Sequence, residues 1–220
     1  YTVNCNGTGT INRTVTRADG TTAVTSDDFL ITDSIVRGGQ LIATRLVDAQ
    51  REASVIVPGG VFVTRVHTLR PSIPGACYTL ESLKGTYGVE VNYGSNVAMG
   101  LQPENLDGAG NLSRTGINNQ LVAGTTTGER TVANVTSAGT YTVNCDGTGV
   151  INRVVTRPDG TTATTSDDFL VVEAIQTFQG LIATRIIDVQ RDPSVVPPGG
   201  LFVYRTHRLL TSAGFGFGRR

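Results

Sequence analysis

The chain repeats itself after 140 residues. Residues 1–70 and 141–210 align without a gap and share 44 of 70 positions, while residues 71–140 have no second copy. The order is therefore B–A–B′, one complete unit plus an unaccompanied half. Whichever B the A segment joins, the other is left over. A half that cannot bury its own apolar face needs a complement.

Glycine supplies 27 of the 220 residues, and Thr, Val, Asn and Asp are frequent, a mixture that favours short strands and tight turns. Helical periodicity is nearly absent. Turn signals recur at equivalent places in the two copies: Asn6-Gly7 and Asp146-Gly147, Asp19-Gly20 and Asp159-Gly160, Gly38-Gly39 and Gln179-Gly180, Pro58-Gly59-Gly60 and Pro198-Gly199-Gly200. They cut each copy into four or five strands, the first turn reading as a two-residue hairpin between Tyr1–Cys5 and Thr8–Thr16. In the first copy the next strands fall at Thr21–Thr32, Leu41–Gln50 and Val61–Leu69. The A segment adds Gly85–Tyr93, Asn96–Leu106, Asn111–Gln120 and Arg130–Thr136, with a turn at Asp107-Gly108-Ala109-Gly110.

From Lys84 to Leu210 this makes about eight antiparallel strands in meander order, which suit a closed up-and-down barrel without exposed edges. An open sandwich is the alternative. The predicted fold class is all-β: an eight-stranded antiparallel barrel plus an extra half-repeat of four or five strands. The expected divisions are an orphan half-barrel at 1–70, a linker at 71–82, the barrel at 83–210 and a flexible tail at 211–220.

The runs Leu83-Lys84-Gly85-Thr86-Tyr87-Gly88, Asp107-Gly108-Ala109-Gly110-Asn111-Leu112-Ser113 and Gly139-Thr140-Tyr141-Thr142-Val143-Asn144, with Asp146-Gly147-Thr148-Gly149, resemble secreted bacterial lipocalin-like barrel domains. These are calycin-type domains, some of them compared with the allene oxide cyclase barrel. The resemblance covers roughly residues 77–210 and, again, 1–70. It implies a fold and a secreted or periplasmic setting; it carries over no catalytic residue.

Cys5 and Cys145 are repeat equivalents, and Cys77 is the single cysteine of the A segment. If A and B′ form one unit, Cys77–Cys145 is the natural disulfide and Cys5 is left for an intermolecular bond. Three free buried thiols are the alternative.

The last strand of each copy carries the strongest local signal. Val63, Arg65, His67 and Leu69 recur as Val203, Arg205, His207 and Leu209, whereas the alternate residues change. Alternate strand residues share a face, so the unchanged face reads as the inward one. Countercharges are at hand in Asp27, Asp28 and Asp48, repeated as Asp167, Asp168 and Asp188, with Arg45 and Arg185 on the neighbouring strand. Two chemistries fit. Arg185, Arg205, His207 and Asp188 could line a lumen that binds a small apolar or carboxylate-bearing ligand, with Arg205 as the anion clamp. Alternatively they form an ion network that closes the barrel. Of 18 basic residues 17 are Arg, the cation better suited to buried, bidentate pairing.

Other classes find little support. Zero formal charge gives no electrostatic case for nucleic acid, and no apolar run reaches the ~18–20 residues of a membrane helix. No Cys/His spacing fits zinc, and Asp27 and Asp28 point to opposite faces of a strand. Nucleophile elbow, P-loop and H-E-x-x-H are all missing. No metal, cofactor or catalytic residue is expected. A chain opening at Tyr1 reads as a processed or truncated product, and Phe215 and Phe217 in the glycine-rich tail read as a frayed end or an intermolecular docking peptide.

The left-over half directs the functional expectation: a secreted or cell-surface structural module that self-associates through its incomplete half-barrel into an oligomer or, where association does not close, a fibre. The alternative is a lipocalin-like binding protein. A weaker alternative, implied by the resemblance, is an allene-oxide-cyclase-like isomerase.

Overall fold

A computed structural model describes residues 1–16, 18–51, 63–70, 75–92, 98–122, 128–191 and 203–211. Phe215 and Phe217 lie outside the described residues. The chain divides into two compact units, Tyr1–Arg70 and Pro71–Arg220.

The first unit is a five-stranded antiparallel sheet in sequence order: β1 (Thr2–Val3), β2 (Thr8–Thr16), β3 (Thr22–Arg37), β4 (Gln40–Gln50) and β5 (Thr64–Thr68). The second holds eight strands: β6 (Gly85–Asn92), β7 (Ala98–Leu106), β8 (Asn111–Leu121), β9 (Arg130–Val143), β10 (Thr148–Thr156), β11 (Thr162–Thr177), β12 (Gly180–Gln190) and β13 (Tyr204–Thr211). Each pairs antiparallel with its sequence neighbours, and β13 closes the ring on β6, with Arg205 opposite Val91 and His207 opposite Val89. The expected fold class is therefore the observed one, and A pairs with B′.

Local chemistry explains two departures from the expected strand ends. The β9–β10 loop has four residues, Asn144–Gly147, rather than two. The Gly147 N–H donates to the Asn144 carbonyl at 2.9 Å, and the Asp146 carboxylate accepts from the Thr148 N–H at 2.9 Å. Gly147 sits at φ +82°, where a residue with a Cβ is strained. This turn leaves Cys145 outside the strands. The second departure is the length of β3 and β11, 16 residues each. Both continue through a register shift, between Ile31 and Ser34 and between Val171 and Ala174. A bulge breaks the period-two pattern from which a strand is read.

Residues 75–82, expected as linker, belong to the same compact unit as the barrel strands. Cys77 and Cys145 form a disulfide, and the Tyr78 N–H donates to the Cys145 carbonyl at 3.1 Å. A 3-10 turn at Leu80–Leu83 then puts Leu83 fully into the core. The Tyr141 hydroxyl accepts from the Gly108 N–H at 2.9 Å and donates to the Leu80 carbonyl at 3.3 Å, tying this plug to the β7–β8 turn. One helical turn is too short to leave a periodic signal, so the plug was invisible as an element.

Alternation along the strands stacks the barrel interior in layers. Next to the plug lie Tyr87, Leu106, Leu112, Ile151, Phe169 and Ile186, all buried. Two residues further along the same strands come the charged positions Glu104, Arg114, Arg153, Asp167 and Asp188. Beyond them Gln102 donates to Asn118 Oδ1 at 2.7 Å. Gly149 makes room for the Phe169 ring, which occupies the place of its missing Cβ; Gly9 and Phe29 repeat the arrangement in the first unit.

Candidate functional site

The charged layer is the chemically distinctive site. Glu104 comes from β7, Arg114 from β8, Arg153 from β10, Asp167 from β11, Asp188 from β12, and Arg205 and His207 from β13. Each points inward because it keeps the parity of a core neighbour, as with Ile151 and Arg153 or Ile186 and Asp188.

Arg153 lies at the centre. Its Nη1 donates to Asp167 at 2.6 Å and its Nη2 to Asp188 at 3.0 Å and Glu104 at 3.2 Å. Arg205 Nη1 bridges Asp167 at 2.7 Å and Asp188 at 2.9 Å. His207 Nε2 is 2.9 Å from Asp188 and its Nδ1 is 3.0 Å from Glu104, off the line of an ideal hydrogen bond. Arg114 stands at the margin, 4.0 Å from Glu104, with its Nε donating to Ser137 at 3.0 Å. With both ring nitrogens facing carboxylates, His207 belongs in its doubly protonated form. Three carboxylates then face Arg153, Arg205 and the imidazolium, with Arg114 a fourth cation at the margin.

Burial opposes every one of these charges, so their mutual attraction decides the ionisation. Desolvation raises the Glu104 pKa, but Arg153, His207 and Arg114 overcome it and hold the carboxyl below its ordinary value. Asp188 is held down against the same penalty by Arg205, Arg153 and His207. Desolvation disfavours the His207 imidazolium, yet Glu104 and Asp188 raise its pKa above the ordinary 6.5. Arg153 and Arg205 are likewise raised despite desolvation.

The first unit carries the same cluster without its cover. Arg13 donates to Asp27 and, at 2.6 Å, to Asp48; Arg65 reaches Asp27 at 3.0 Å and Asp48 at 3.3 Å; His67 Nε2 is 2.7 Å from Asp48. The Arg13, Arg65 and His67 side chains are 22%, 31% and 41% exposed, against 0%, 2% and 0% for Arg153, Arg205 and His207. Among the described residues of this unit, nothing occupies the place of Glu104, and His67 Nδ1 has no partner.

The structure brings Arg205, His207 and Asp188 together, as expected, but separates Arg185 from them. Arg185 lies three residues from Asp188, hence on the opposite face of β12, and pairs with Glu173 at 3.1 Å. Asp168 also faces outward, to Arg191 at 2.7 Å. Sequence reasoning missed Arg153, Glu104 and Arg114. The Ile151–Arg153 alternation, repeated in Ile11–Arg13, was the signal available for Arg153. Cys5 is an exposed free thiol.

The arrangement restricts chemistry. Arg205 as an anion clamp would need a free fork, yet its Nη1 is held by two carboxylates, and its Nε, buried without a partner among the described residues, opens to no solvent. A general base needs reach to a substrate proton; fully buried His207 faces only its own carboxylates. Among the described residues no cluster could hold a metal ion, and no helix is long and apolar enough to cross a membrane. A cavity of about 170 Å³ lies at the plug, lined by Cys77, Thr79, Ser82, Gly180, Leu181 and Ile182. That is below the ~300–1,000 Å³ of small-molecule sites.

The site lies inside a closed antiparallel barrel whose interior holds a layer of paired charged side chains. The chain matches no protein-family model, no curated protein and no solved structure.

Proposed function

We propose that this chain is a secreted or periplasmic structural module that joins polypeptide segments through its open half-barrel, the closed barrel serving as its rigid body. One observation carries the reading: the ion cluster complete and dry in the barrel recurs in the first unit with Arg13, Arg65 and His67 partly exposed. An apolar position at the far end of the Asp188 and Asp48 strands follows suit: Leu181 is 8% exposed and its counterpart Leu41 77%. An uncovered apolar face of this kind associates. The Cys77–Cys145 disulfide supports an oxidising compartment. The buried charged layer occupies the barrel interior at its level, which supports this reading over a ligand-binding lumen there.

Light scattering over a concentration series, with a fluorescent fatty acid titrated in parallel, tests this. Mass should grow with concentration while the fatty acid leaves the barrel's thermal midpoint unchanged. A strict monomer whose barrel is stabilised by the fatty acid would return the binding-protein reading.

A further inference from the structure

We infer that the occupant of the open face is an A-type segment: four antiparallel strands equivalent to β6–β9, carried by polypeptide other than this copy's own residues 71–140, with a glutamate for His67 and a cysteine for Cys5. This rests on the docking function proposed above and names its partner.

The barrel displays the solution. There the A segment closes a B-type sheet by pairing at both edges, β9 on β10 and β6 on β13. In the first unit the corresponding edges are open among the described residues. β1 covers only Gly9 and Thr10 of β2, and β5 ends the sheet. The A segment also supplies Glu104, the third carboxylate, beside both Arg153 and His207. Arg13 and His67 present the same two side chains, and Asp27 and Asp48 are engaged by Arg13 and Arg65. Burying this face without a further carboxylate would leave Arg13 and His67 without the acceptor that Glu104 offers Arg153 and His207. Finally, Cys77 of the A segment bonds Cys145, while the equivalent Cys5 is free and exposed.

A second copy of the open sheet does not meet these requirements. Its two aspartates are already paired, so Arg13, Arg65 and His67 would face their own kind. Exchange of residues 71–140 between copies does not help, because residues 1–220 hold two B-type sheets and one A segment. Trading residues 71–140 alone leaves one of these two sheets open in every copy.

The test is a fusion that places a second copy of residues 71–140 directly before Tyr1 of the full chain, reproducing the natural A–B′ junction. The barrel is its internal control. Amide exchange in β2–β5 should slow by at least about 100-fold, towards barrel rates. Cys5 should lose its free thiol to the added cysteine, and the concentration-dependent mass growth should disappear. Changing only the added copy's equivalent of Glu104 to Gln should restore at least about tenfold of the exchange rate. Retained mass growth with Cys5 still free and β2–β5 still in fast exchange would sink the A-type partner and leave docking intact, pointing to a second copy. An unfused chain that never associates, with a fusion that never closes, would sink both. A Gln variant that closes as firmly as its parent would remove the carboxylate from the argument and overturn the partner's stated chemistry.

Discussion

The two units hold the same five side chains at the same strand positions, yet one set is wholly dry, while in the other Arg13, Arg65 and His67 reach water beside a buried Asp27 and Asp48. Arg153 touches three carboxylates with no solvent exposure, whereas Arg13 touches two and keeps 22% of its side chain in water. The difference is the A segment. A B-type sheet aligns Asp, Arg and His by strand register alone. Whether they become a buried network depends on what closes over them. Buried ion pairs are poor evidence of net stability but strong evidence of interdependence, since removing one member leaves its partners uncompensated.

The largest expected difference comes from deleting the central cation in each unit. Arg153→Ala should destabilise the barrel by about 5 kcal/mol, while Arg13→Ala should cost its sheet about 1–3 kcal/mol, less because half-buried Arg65 still holds both buried aspartates. Denaturant titration followed by site-resolved amide exchange measures both, and equal losses would break the contrast. Next comes Cys77→Ser, expected to cost the barrel about 4 kcal/mol on the chain-entropy account and to leave β2–β5 untouched in the same titration.

Acidity should separate the units more gently. Glu104 and Asp188 are held below their ordinary values of 4.5 and 3.8, so the stability they contribute is complete above those values and drains away as pH falls through the lower folded ones. His207 is raised above 6.5, so its contribution is complete below 6.5 and is lost as pH climbs through the higher folded value. The barrel should therefore melt highest between about pH 4.5 and 6.5, and lower on either side by an amount on the order of 1–3 kcal/mol. A series of thermal melts checks the shape, and His207→Gln should flatten its alkaline limb. The smallest effect is a matched control: Asp168→Asn and Asp28→Asn, each removing an exposed pair with Arg191 or Arg51, should leave both units' melting unchanged. A loss confined to the barrel would mean that its outer face matters as well.

Much of this was legible before any coordinates. The repeat exposed the odd half, the turn dipeptides delimited the strands, and the unchanged face of the last strand placed Arg205 and His207 indoors. That comparison needs two copies, which is why Glu104 and Arg114, in the unrepeated A segment, escaped it. Leu106, Glu104 and Gln102 do alternate inward, but a lone charged residue in such a row reads equally well as a solvent-facing one. Arg185 was misplaced for a simpler reason: it was grouped with Asp188 by proximity, and an odd spacing on a strand means opposite faces. The far ends of β3 and β11 were hidden by the bulge, and only one of ten positions matches between residues 31–40 and 171–180.

The layering of the barrel interior has a consequence for alignment. A one-residue slip between strands turns core side chains outward, and hydrophobic burial alone forbids it. A two-residue slip, about 7 Å along the strand, preserves inside and outside and would pass unnoticed in a purely apolar barrel. Here it would carry Glu104 out of reach of Arg153 and set a carboxylate among Leu112, Ile151 and Phe169 or among amides. The ionic layer thus works as a vernier, reading strand alignment to a single repeat and rejecting sheets that merely look oily enough to fit.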